Sequence, residues 1–149
     1  MDAQKFFDTV VAAGRHNRLQ SSPQLTLNEI ILKLKACNGK CNNGEEKQVY
    51  YDFCDFYPET LHSWRGSYSE LATSYTDEDW SKAPTISKCI SMFEDAIGKT
   101  YTGYKGGEYT MNKNTPVWVS NYGESKSTGI VEVLEADVCI ILVTAYCEY

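Results

Sequence analysis

The sequence predicts an α+β fold, with two to three helices packed on a mainly antiparallel sheet, and three observations carry that expectation. Thr26 and Glu29 form a capping box ahead of Ile30, Ile31, Leu34 and Ala36, the spacing of a helix that buries one face. After Gly98 the helical period gives way to short alternating runs separated by turn residues. Among those runs Val138-Cys139-Ile140-Ile141-Leu142-Val143 is apolar at every position, which suits an interior strand covered on both faces.

Taken in order, residues 3 to 14 carry Phe6, Phe7, Val10 and Val11 at helical spacing, and Gly14 with the polar run Arg15 to Gln24 ends that amphipathic helix. Residues 1 to 24 are therefore expected to form a helical appendage, and residues 25 to 149 a single α+β ligand-binding domain. Residues 27 to 37 form the next helix, ending at Asn38-Gly39, and residues 38 to 46 a polar loop. Val49 to Phe53 reads as a strand. Pro58 cannot donate to a ladder, so the chain leaves the sheet there and opens a loop that carries Arg65. Leu71, Thr73 and Tyr75 alternate, which favours a strand over a short helix for Ser69 to Tyr75. Residues 76 to 84 are an acidic turn, with Asp77, Glu78 and Asp79 solvated rather than gathered on a metal. Thr85 or Ser87 caps a helix through Cys89, Ile90, Phe93 and Ile97 that stops at Gly98. Tyr101 to Met111, Pro116 to Asn121, Gly129 to Leu134 and Val138 to Tyr146 complete the chain as strands.

A length of 149 residues fits one domain and buries roughly 68% of the unfolded surface without covalent staples. No apolar stretch approaches the roughly 18 residues of a membrane span, and Met-Asp-Ala-Gln-Lys lacks a basic-then-apolar export signal, so no membrane association and an intracellular location are expected. The net charge of -6 and pI near 4.9, with scattered lysines, repel duplex nucleic acid but leave room for a small anion in one local pocket. Six cysteines without an export signal do not make a disulfide framework. Cys37 and Cys41 bracket three residues and supply at most half a zinc site, because His16 and His62 stand alone and no second pair has ligand spacing. No metal and no cofactor are expected. Cys54, Cys89 and Cys139 sit in apolar patterns as small buried hydrophobes.

The stretch Leu61-His62-Ser63-Trp64-Arg65-Gly66-Ser67-Tyr68, after Tyr51-Asp52-Phe53-Cys54-Asp55-Phe56-Tyr57-Pro58, sets one of only three arginines among aromatic and small residues. A guanidinium is a planar, permanently charged fork that fits phosphate and stacks on rings, and Tyr57, Trp64 and Tyr68 offer faces for a base. With Gly66 at the turn, this composition points to a small phosphorylated, base-containing ligand. The competing reading pairs Arg65 with Asp52, Asp55 or Glu59 and leaves it to pin a loop. In Thr102-Gly103-Tyr104-Lys105-Gly106-Gly107 the glycines let backbone approach an anion and Lys105 adds charge, beside the plainer reading of a tight turn with a solvated lysine. Trp118, Asn121 and Tyr122 could line a pocket at a strand end, with Asn121 reading a base edge or ribose, although Trp118 between two valines equally suits core packing. Neither histidine has a triad partner or nucleophile turn at recognisable spacing, so no catalytic residues are assigned and the protein is not expected to be an enzyme.

The helix Leu27-Asn28-Glu29-Ile30-Ile31-Leu32-Lys33-Leu34, the aromatic and arginine segments quoted above, Gly103-Tyr104-Lys105-Gly106-Gly107-Glu108-Tyr109 and Thr115-Pro116-Val117-Trp118-Val119-Ser120-Asn121-Tyr122-Gly123 together resemble a family of small bacteriophage proteins, the Thoeris anti-defence sponges. The likeness spans about residues 25 to 146 and leaves residues 1 to 24 outside it. It implies an oligomeric, mostly α+β binder, acting in the cytoplasm of the infected bacterium, that withholds cyclic ADP-ribose isomers from a host effector without degrading them in pockets between subunits. Some relatives of this kind also hold cyclic oligonucleotides at separate sites, for which the arginine-poor C-terminal half of this chain offers little. The expected ligand-binding residues are Tyr57, Trp64, Arg65, Gly66, Tyr68, Tyr104, Lys105, Gly106, Gly107 and Asn121. A protein-protein inhibitor of a host enzyme and a small nucleotide hydrolase with His62 as base are the rival readings.

Overall fold

The computed structural model describes residues 23–53, 55–121 and 124–149, so the helix expected over residues 3 to 14, Cys54 and Tyr122 lie outside the described residues. Within them the chain forms α1 (Leu27–Ala36), β1 (Gln48–Tyr51), β2 (Leu61–Trp64), β3 (Ser67–Thr73), a 3-10 turn (Trp80–Lys82), α2 (Ile86–Ala96), β4 (Thr100–Thr102), β5 (Glu108–Thr110), β6 (Val117–Val119), β7 (Thr128–Glu135) and β8 (Cys139–Tyr146). Both helices start where the caps predict. Thr26 accepts from the Glu29 amide while the Glu29 carboxylate accepts from the Thr26 amide, and Thr85 accepts from the Lys88 amide. Gly98 follows α2 with φ of 81°, a conformation that a side chain would strain. α1 instead ends at Cys37 in extended backbone, one residue short of the Asn-Gly stop.

Six strands form one sheet in the order β1-β8-β7-β6-β3-β2, and β4 and β5 pair as a separate hairpin. The expectation of a mainly antiparallel sheet is corrected: β1 runs parallel to β8 and β3 parallel to β6, so the sheet is mixed. Parallel neighbours need long crossovers. Local alternation is the same for either direction. The expected loop around Arg65 is also a hairpin, since His62, Ser63 and Trp64 pair with β3 on either side of a bulge, and only Arg65 and Gly66 turn.

Period-two alternation divides the core between the two faces of the sheet. Ile140 and Leu142 of β8 join Val49, Tyr51, Leu71, Val117 and Ile130 under the helices, against Ile30, Leu34, Cys89 and Phe93. Cys139, Ile141 and Val143 point the other way, with Tyr50 and Val131. β8 is thus buried on both faces between β1 and β7, as its apolar run requires. The helices meet at a Lys35–Glu94 contact of 2.9 Å, but both side chains are about half exposed and the pair contributes little beside the apolar burial.

Polar groups inside this core are satisfied at specific points. The Tyr51 hydroxyl, fully buried, lies 2.6 Å from Thr73 Oγ1 and 2.8 Å from the Ser74 carbonyl, while the Tyr50 hydroxyl donates to the Trp80 carbonyl at 2.7 Å. Burial pushes the Tyr50, Tyr51 and Cys89 protons well above their ordinary values and the Cys139 thiol up to about 12. A group whose pKa rises on folding stabilises fully below its unfolded value and loses that contribution as pH climbs. Thermal melts should therefore be steady near neutrality and fall progressively above about pH 9, where the unfolded thiols and phenols begin to ionise. Tyr51→Phe should cost about 1–3 kcal/mol at pH 7 and make the alkaline fall shallower. A wild-type melting curve that stays flat to about pH 11 would contradict this account.

Candidate functional site

Two hairpin tips and the connection between β6 and β7 border a cleft of about 510 Å³ lined by Arg65, Tyr68, Tyr104, Lys105, Glu124, Ser125 and Lys126. That volume lies within the range of small-molecule sites. The first turn is the tip of the β2–β3 hairpin. Trp64 is buried and stacked face to face on Trp118, 3.9 Å between centroids and 9° between planes, so the next residue, Arg65, is thrust outward. Gly66 then passes over the indole, where a Cβ would sit 2.5 Å from ring carbons. Glycine is needed here for space, and its backbone has no positive φ. The Ser63 hydroxyl donates to the Tyr68 carbonyl and closes the bulge beneath the tip.

The β4–β5 hairpin supplies the second turn. The Gly103 amide donates to the Gly107 carbonyl at 2.7 Å and the Gly106 amide to the Gly103 carbonyl at 2.9 Å, with Gly106 at φ of 94°. Gly103 is buried against rings: a Cβ there would meet Tyr109 at 2.8 Å and Tyr68 at 3.1 Å. The hairpin therefore lies directly on Tyr68, and this approach carries Tyr104 beneath Arg65, whose guanidinium sits 3.6 Å from the Tyr104 ring centroid. Arginine stacked on an exposed ring keeps all its N–H donors at the edge, available to an anion. Among the described residues no carboxylate forms an ion pair with Arg65. Asp52 accepts from the Thr144 amide and hydroxyl at 3.1 and 2.6 Å, a contact that ties β8 to the end of β1.

The third side is the connection between β6 and β7, from which Glu124, Ser125 and Lys126 line the cleft and Lys126 pairs with Glu124 at 3.3 Å. Three cations and one carboxylate thus face one cleft of a chain whose net charge is -6.

Of the residues singled out in the sequence, the structure brings together Arg65, Tyr68, Tyr104 and Lys105, with Gly66, Gly106 and Gly107 shaping the turns that hold them. It does not bring the other three there. Trp64 lies under the tip as core. Tyr57 is buried edge-on against Tyr50, at 6.4 Å, and borders a separate cleft with Pro58 and Lys82. Asn121 lines a smaller cavity of about 270 Å³ with His62, Phe56, Tyr75 and three carboxylates. In that cavity His62 Nε2 lies 3.2 Å from Ser120 Oγ, and burial holds the imidazole below its ordinary value, a neutral hydrogen-bonding group at neutral pH. Cys89 and Cys139 are buried, and no cluster of metal-ligating side chains occurs among the described residues. Glu124, Ser125 and Lys126 were missed in the sequence. Their only signal is a polar run between two strands, which reads as an ordinary connection.

No protein-family model, curated protein or solved structure matches the chain. No helix among the described residues is long and apolar enough to cross a membrane.

The tip geometry makes a direct prediction. Gly66→Ala must displace the Trp64 ring or the turn, so it should cost about 1–3 kcal/mol and change the near-ultraviolet circular dichroism of the stacked indoles. An unchanged spectrum at wild-type stability would show that the turn does not depend on this contact.

Proposed function

We propose that the chain is a binding protein that captures a cyclic ADP-ribose-type nucleotide in the Arg65–Tyr104 cleft and withholds it without degrading it, blocking Thoeris signalling in the cytoplasm of a phage-infected bacterium. The observation that carries the proposal is the Arg65 guanidinium stacked on the exposed Tyr104 ring, with Lys105 and Lys126 lining the same cleft. A pyrophosphate meets the fork and the ammonium groups, while a base lies against Tyr68 or the outer face of Tyr104. The wider resemblance of the arginine, Gly-Tyr-Lys-Gly-Gly and Trp-Val-Ser-Asn segments to the sponge family supports the choice of ligand. Sequestration rather than turnover fits the cleft's inventory: its titratable side chains are Arg65, Lys105, Lys126, Glu124 and two tyrosines, and His62 belongs to the other cavity.

A second reading, inhibition of a host enzyme through protein contact, is favoured by the exposure of Tyr104, Tyr146 and Tyr149, which are 67%, 78% and 71% accessible. One experiment separates these readings. The pure protein is mixed with cyclic ADP-ribose isomers, the unbound fraction is removed, and the protein is heated to release what it holds. A sponge returns intact ligand, an enzyme returns product, and an inhibitor of a protein leaves the ligand free from the start.

Affinity should be sub-micromolar, and ligand at about 100 times its dissociation constant should add roughly 2.7 kcal/mol of stability. Arg65→Lys should weaken binding nearly as much as Arg65→Ala, by about 10- to 100-fold, because an ammonium keeps the charge but loses both the fork and the stack on Tyr104. Calorimetric titration of the two variants checks this, and full affinity in a folded Arg65→Ala protein would remove Arg65 from the site. The exposed aromatic side chains also lead us to expect at least a dimer, with the cleft shared between subunits. Light scattering that gives a clean monomer mass at micromolar concentration would eliminate the shared version.

A further inference from the structure

A carboxylate in a cleft built for an anion needs a reason. Glu124 lines the same cleft as Arg65, Lys105 and Lys126, and its carboxylate lies 3.3 Å from Lys126 Nζ. Stability does not supply the reason. The two side chains are 48% and 65% exposed, they stand two residues apart on a connecting loop, and a surface pair of this kind contributes almost nothing. Its electrostatic effect on an incoming phosphate is unfavourable, since it repels the anion directly and neutralises one of three cations. An ionised carboxylate accepts hydrogen bonds and offers none. It repels a ligand that presents only anionic oxygens and favours one that presents N–H or O–H donors beside its phosphates.

We infer that Glu124 is a specificity-determining residue of the cleft, one that accepts a hydrogen bond from a donor adjoining the phosphate group, a sugar hydroxyl or an exocyclic amine, and so selects a nucleotide over a bare polyphosphate. The inference rests on the nucleotide reading of the Arg65 site and adds a role to a residue outside the expected set. Selection of this kind works by difference: the acidic group lowers affinity for every phosphate and returns it only to ligands that satisfy its lone pairs. When Lys126 turns to the phosphate, Glu124 is released to the donor, so the pair opens as the ligand enters.

The test is calorimetric titration of the full chain and its Glu124→Gln variant with ADP, inosine diphosphate and inorganic pyrophosphate, with Arg65→Ala as the control for the site. Gln keeps the shape and removes the charge on an exposed side chain, so the melting temperature should be unchanged. Glu124→Gln should weaken ADP on the order of tenfold, the scale of a lost charge-assisted hydrogen bond, and should tighten pyrophosphate several-fold. Inosine diphosphate lacks the exocyclic amine. Equal losses for it and ADP identify the sugar hydroxyls as the donor, and a loss confined to ADP identifies the amine. If both ADP and pyrophosphate tighten, Glu124 only repels, and if neither moves, it only pairs with Lys126; either result overturns the inference while the site stands. If the wild-type chain takes up neither ADP nor pyrophosphate, or Arg65→Ala leaves ADP binding intact, the site itself has been misread and the inference goes with it.

Discussion

Trp64 and Trp118 lie face to face inside the protein, and much of the cleft's architecture follows from that contact. Each indole buries about 150–250 Å², worth roughly 4–6 kcal/mol at 25 cal/mol per Å². The Trp118 Nε1 donates to Glu70 at 2.9 Å, but the Trp64 Nε1 is buried without a hydrogen-bond partner, a cost of about 1–3 kcal/mol. Burial outweighs the orphaned donor, so the ring stays in. With Trp64 fixed inward, the chain must turn at once, Gly66 is confined to glycine by the ring beneath it, and Arg65 is left at the tip with its side chain outside. Trp118 fixes β6 on the other side of the stack, and from β6 the chain runs through Ser120 and Asn121 into the loop that carries Glu124 and Lys126.

The mixed sheet matters to the site for a related reason. β3 and β6 are parallel, so the chain between them cannot be a tight turn and must cross over. That crossover contains α2, which closes one face of the core, and the β4–β5 hairpin, which leans on Tyr68 through Gly103. One connection thus covers the core and builds one wall of the cleft. The stacked Arg65 and Tyr104 come from residues distant in sequence, and neither hairpin alone could present the pair. Residues on such turns can vary without rebuilding the sheet that carries them.

Local signals in the sequence carried the fold well. The Thr26–Glu29 box, the Thr85 cap and Gly98 place both described helices, and the uniformly apolar run at 138 to 143 marks a strand flanked on both sides. Strand direction was not legible, because alternation does not encode which neighbour a strand meets. Arg65, Tyr68, Tyr104 and Lys105 stand out in the sequence by residue type, and the fold brings these four to one cleft. An indole next to an arginine reads as a binding face, but Trp64 follows the bulge in β2 and is buried against Trp118 and Ala72, a packing that depends on a partner more than fifty residues away. Tyr57 and Asn121 border other clefts, since proximity in sequence to a signature says nothing about which cleft a side chain enters. Glu124 and Lys126 gave no local signal, because their place in the cleft depends on a connection returning to a hairpin tip some sixty residues earlier in the chain.

The most direct test of the central claim, that the cleft around Arg65 is a nucleotide site, is a crystal structure of the protein grown with a cyclic ADP-ribose isomer. The account predicts density for an intact ligand in the 510 Å³ cleft, its phosphates within hydrogen-bonding distance of the Arg65 guanidinium and a ring or sugar against Tyr68 or Tyr104. Ligand in the His62 and Asn121 cavity, or an Arg65–Tyr104 cleft left unoccupied at saturating ligand, would contradict it.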